Sequence, residues 1–123
     1  MAAKKITLRC DVPVRDIVCS AIRDYARAAY PEGGSECAQV ARYTLLELAD
    51  EIYNGINDES HAVEISRRPR AMVKAAFEYY FNRLDDTGGA TSSRQRQLFN
   101  ELLGEQPLTL AELQAAAEQD RAG

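Results

Sequence analysis

Three groups of side chains in this sequence are of types that could do chemistry. Lys5, Thr7 and Arg9 recur at every second position, with Ile6, Leu8 and Cys10 between them. Period two is the pattern of a β-strand with one buried and one exposed face, so two cations and a hydroxyl share the exposed one. Arg67, Arg68, Arg70 and Lys74 form the densest run of cations, at the expected start of a helix. Cations there oppose the helix dipole. Glu64 and Glu78 are the expected local partners; an acidic partner molecule or a second phosphate contact is the alternative. The third group is Cys10, Cys19, Cys37 and His61. The cysteines fall on apolar faces and make no Cys-x-x-Cys pair, and His61 stands alone in a polar connection. This argues against a zinc site. A Cys–His dyad would need both groups exposed. The chain carries no glycine-rich phosphate loop with lysine, no nucleophile elbow and no metal-binding helix motif. The expectation is no enzyme, no cofactor and no metal.

Composition narrows the class further. At 123 residues with 46% apolar side chains, the chain suits one domain, or a small domain with an appendage. Its net charge of −4 argues against a coat for nucleic acid, which needs clustered cations. It does not exclude a small basic surface. No run is long and apolar enough for a membrane span, and the first residues lack the apolar segment of a signal peptide. A cytoplasmic protein without membrane contact is expected.

The elements that must position these residues follow from spacing. Residues 4–10 are the only strongly patterned strand; residues 62–65 are a weak candidate for a short edge strand. Val14, Ile17, Val18, Ala21, Ile22 and Tyr25 mark a first helix, which Asp11 or Val12 can cap and Pro31 limits. A turn at Pro31–Gly34 leads to Ser35, the expected cap of a second helix that runs to Tyr53–Gly55, with Cys37 and Val40 on its inward stripe. Val73, Ala76, Phe77, Tyr80, Phe81 and Leu84 mark a third helix; Tyr79 falls off its stripe and is free to cover a partner. Asp85–Gly89 ends that helix. Capping boxes at Ser92–Gln95 and Thr109–Glu112 open the fourth and fifth helices, the last fraying near Arg121–Gly123. The fold is therefore mostly α, one N-terminal strand followed by about five helices. A seam near residues 56–65 divides a 1–55 unit from a 66–123 helical region. A lone strand cannot satisfy its own backbone groups, and the simplest partner is the same strand of a second copy.

Strand, helix, glycine turn and helix over residues 4–54 resemble the ribbon-helix-helix DNA-binding family. The resemblance implies an intertwined homodimer whose paired strands lie in the DNA major groove. Lys5, Thr7 and Arg9 match the positions that touch base edges. Gly34 and Ser35 match the helix start that holds a DNA phosphate, with Lys4 as a further phosphate contact. Ile6, Leu8, Ile17, Ile22, Val40 and Leu45 would form the shared core, and Arg42 matches the arginine in the middle of the second helix. The implied function is a sequence-specific repressor or a plasmid or phage accessory factor bound to double-stranded DNA. Residues 66–123 would then serve oligomerisation or partner binding.

A second reading comes from another class. The chain can be a small acidic helical module for protein–protein binding, such as an inhibitor, adaptor or antitoxin from a mobile element. Residues 4–10 would then pair within their own chain, with 62–65, and their cations would be incidental.

Overall fold

The computed structural model describes residues 5–86 and 93–122. Lys4, the Thr87–Gly89 part of the expected turn, Ser92 of the expected capping box and Gly123 lie outside them. The order of elements is β1 (Lys5–Arg9), α1 (Val12–Ala29), α2 (Glu36–Gly55), β2 (Ala62–Ser66), α3 (Arg70–Asp86), α4 (Ser93–Leu102) and α5 (Leu110–Ala122). The chain is mostly helical, with one two-stranded antiparallel sheet.

β1 has the alternation its sequence predicts: Ile6 and Leu8 are buried, Lys5 and Arg9 exposed. Its partner is the one that the second reading of the sequence names, the 62–65 segment, in place of the same strand of a second copy. β1 pairs with β2 of the same chain, Ile6 opposite Ile65, Thr7 opposite Glu64 and Leu8 opposite Val63. β2 is hard to see in sequence because Val63 and Ile65 are its only large apolar residues, too few for a periodicity to stand out.

The other edge of β1 is covered too. Arg9 O accepts from Leu108 N (3.0 Å) and Asp11 N donates to Leu108 O (3.2 Å), a short parallel bridge. Thr7 N donates to Glu105 Oε1 (3.2 Å). Glu105 has φ 72°, the left-handed region that costs a non-glycine residue strain. The cost is offset where it places a carboxylate against the strand edge.

Asp11 ties the same point to two helices. One carboxylate oxygen accepts from Val14 N (3.1 Å) and caps α1; the other accepts from Leu110 N (2.9 Å) at the start of α5. Ser35 Oγ caps α2 by accepting from Ala38 N (3.2 Å), after a turn in which Gly33 takes φ 84°. At α5, Thr109 Oγ1 accepts from Glu112 N (3.2 Å), as the expected capping box requires.

α1 buries Val14, Val18, Ala21, Ile22 and Ala26, packing on α2 and α3. Residues on both sides of the expected seam share one core: Leu8, Ile22 and Leu45 with Ile65, Phe77, Phe99 and Leu108. Phe99 fastens α4 to α3, its ring 5.1 Å from those of Phe77 and Phe81 in edge-to-face contact. The end of α2 meets β2 at Gly55, where an added Cβ would overlap the side chain of Val63. Two residues expected inside are not: Cys37 and Val40 are exposed on α2, and Ile17 is only partly buried.

Two predictions follow from these contacts. Asp11→Ala removes both acceptors and should lower the unfolding free energy by about 2 kcal/mol, about 1 per cap. Asp11→Asn keeps one acceptor oxygen and should cost about half as much; urea titration separates the two. Gly55→Ala should destabilise by roughly 1–3 kcal/mol through overpacking, and adding Val63→Ala should recover part of that loss.

Candidate functional site

The outward face of the sheet holds the residues expected to read bases. Lys5 and Arg9 are exposed and Thr7 is half-buried. Acidic groups stand beside them. Glu64 lies opposite Thr7 on β2, and Arg9 Nη1 donates to the Glu105 carbonyl (3.4 Å). Lys4 lies outside the described residues.

Gly34 and Ser35 hold the turn before α2. Gly34 N donates to Pro31 O (3.4 Å), and Ser35 Oγ is occupied as the α2 cap. Glu36 already places a carboxylate in the first turn, where the helix dipole favours negative charge. Among the described residues no hydrogen bond or ion pair joins this turn to β1. Arg42 reaches back to Tyr30 O and Glu32, both at 3.5 Å, and secures the turn.

The cation run behaves differently from the expected local pairing. Glu78 binds Arg96 of α4 (2.8 Å), which Asp85 also binds (2.8 Å). Glu64 makes no ion pair among the described residues. Arg67, Arg68, Arg70 and Lys74 therefore stand unpaired among the described residues at the start of α3. Arg70 Nε is buried with no hydrogen-bond partner there. This end of α3 concentrates uncompensated positive charge and suits an anionic side chain.

The thiols are set by burial. Cys10 and Cys19 are buried, which pushes their pKa values up to about 12 and about 11. Cys19 Sγ donates to the Ala49 carbonyl (3.3 Å). His61 is exposed and meets Cys10 through its backbone carbonyl, which accepts from Cys10 N (3.0 Å). A thiol held neutral is a poor nucleophile. Cys37, expected on an apolar face, is exposed. Tyr79 packs on Tyr25 of α1, ring centroids 5.8 Å apart, with Arg83 over its ring (5.6 Å). It serves the α1–α3 contact.

Sequence reasoning missed a surface on α2. Val40 and Tyr43 are each 62% exposed. Helical spacing places them one turn from Thr44 and Glu47, which line a groove of about 270 Å³ with Leu48, Glu51, Ser66 and Arg68. The signal was present: the apolar residues of α2 cover more of the helix than one packing face needs.

No protein-family model matches the chain, nor does any curated protein or solved structure. Among the described residues no helix is long and apolar enough to cross a membrane, and no group of three or more His, Cys, Asp or Glu is placed to hold a metal ion.

A thiol reagent should label Cys37 quickly in the native protein, and Cys10 and Cys19 only after denaturation. The raised thiol pKa values also carry a pH dependence. Unfolded thiols ionise near 9, folded ones at about 11 and about 12. Their contribution to stability is whole below pH 9 and falls as pH rises toward 12. The stability gap between the wild type and Cys10→Ala/Cys19→Ala should narrow over that window in denaturant titrations.

Proposed function

We propose that this chain is a monomeric protein-binding module, acting as an adaptor or inhibitor. The observation that carries this reading is the pairing of β1 within one chain: one edge lies in the ladder with β2, and on the other the Thr7 N–H, the Arg9 carbonyl and the Asp11 N–H are bonded to residues 105–108. A DNA-reading ribbon needs one of those edges for a second copy. The acidic setting of the outward cations supports the same conclusion. Glu64 and Glu105 would meet phosphates wherever Lys5 and Arg9 approached them, and like charges brought together weaken binding. The net charge of −4 points the same way.

The surface also offers what a protein partner uses. Val40 and Tyr43 are exposed on α2 without cover. Tyr53, the third exposed large apolar residue among the described ones, lies under Arg15 (4.2 Å) and Arg23 (5.6 Å), which shield it. Aromatic and aliphatic residues held on a rigid helix supply contact area at small entropic cost.

Light scattering over a range of concentrations, paired with selection against random double-stranded DNA, tests the reading. A monomer that enriches no DNA site is the expected result. A persistent dimer that selects an operator and loses it in Arg9→Ala would replace this reading with the ribbon.

A further inference from the structure

β2 has one edge in the sheet and one edge open. Cys10 N donates to His61 O, which fixes the phase of the ladder: residues 61, 63 and 65 turn their backbone groups toward β1. Residues 62, 64 and 66 turn theirs away. On that outer edge Ser60 Oγ takes the Ala62 carbonyl (3.2 Å). The Glu64 N–H and C=O and the Ser66 N–H have no partner among the described residues. The edge runs into the groove at Ser66, whose far wall on α2 carries Glu47 and Glu51.

We propose that this edge takes an extended segment of a protein partner as a third, antiparallel strand. The segment carries a basic residue opposite Glu64 and an acidic residue four positions before it, toward Arg68. The inference rests on the protein-binding reading and gives it a site and a ligand chemistry. Strand addition supplies the backbone hydrogen bonds that Glu64 and Ser66 lack.

Charge selects the occupant. Pairing of β2 with β2 of a second copy, in the register of fullest overlap, sets Glu64 against Glu64. Like charges directly opposite are destabilising, so Glu64 guards this edge against self-association. A cation opposite Glu64 removes that penalty. Beyond Ser66 the edge itself turns positive, because Arg67 and Arg68 are exposed and make no ion pair among the described residues, Arg68 sharing its groove with Glu47 and Glu51 of α2. An antiparallel segment meets that end with its earlier residues, hence acidic before basic.

The test uses two seven-residue peptides of identical composition and zero net charge. One is acetyl-Glu-Thr-Val-Thr-Lys-Val-Thr-amide; the other exchanges its Glu and Lys. Amide hydrogen exchange by NMR on the full chain reads the edge directly. The first peptide at about 1 mM should slow exchange of the Glu64 and Ser66 amides and bind about fivefold tighter than its twin. Glu64→Lys should erase or reverse that preference. Glu64→Pro should abolish the protection while leaving the β1 ladder intact, since the Glu64 N–H lies outside it. Three results overturn the proposal: no protection of these amides, preference for the twin, or concentration-dependent protection without peptide, which would make a second copy the occupant. If any of these occurs in a protein that stays monomeric and selects no DNA, the strand-addition site falls and the protein-binding reading stands. If the chain proves a DNA-binding dimer, that reading falls first.

Discussion

A β-strand carries two rows of backbone donors and acceptors, and burying either row unpaired is expensive. How β1 meets that demand decides the rest of this fold. β2 takes one row, which obliges the chain to return after α2 and places Gly55 against Val63. Residues 105–108 take part of the other, which brings the region between α4 and α5 back to the N-terminal strand. Asp11, directly after β1, then spends its two carboxylate oxygens on the starts of α1 and α5. Sequence-distant elements meet at a single strand, and the core between them is continuous.

Signals that are local were legible in the sequence. The alternation at Ile6 and Leu8 marks β1. Asp11, Ser35 and Thr109 each precede an apolar-periodic run and each caps a helix. The stripe of Phe77 and Phe81 marks the buried side of α3. What escaped depends on partner choice. The alternation in β1 says that a partner is needed and not which one. A five-residue strand with a glutamate at its centre gives a weak signal, so Ala62–Ser66 could not outcompete a symmetric copy of β1. The same blindness affects charges. Glu78 lies one helical turn from Lys74 in sequence, yet Arg96 on α4 takes it. Cys37 and Val40 belong to an apolar surface of α2 wider than one packing face needs, and which part of it α1 leaves exposed is settled only by the packing.

The partition of charge around the sheet gives the surface its character. Basic residues of β1 are interleaved with Glu64 and Glu105, which blunts them as a phosphate-binding face. At the start of α3 the cations make no ion pair among the described residues, though Arg68 shares a groove with Glu47 and Glu51, and the helix dipole adds to them. Acidic and basic zones thus meet at Ser66, beside the groove that leads to Val40 and Tyr43. A surface that changes sign over a few residues discriminates among partners by charge pattern more than by net charge.

The central claim is that β1 is paired within its own chain. An isotope-filtered NMR experiment on a mixture of labelled and unlabelled protein tests it most directly, by separating contacts within a chain from contacts between chains. The account predicts intrachain contacts between Thr7 and Glu64 and between Leu8 and Val63, and no interchain contacts at β1. Interchain contacts linking β1 to β1, centred near Thr7, would contradict it.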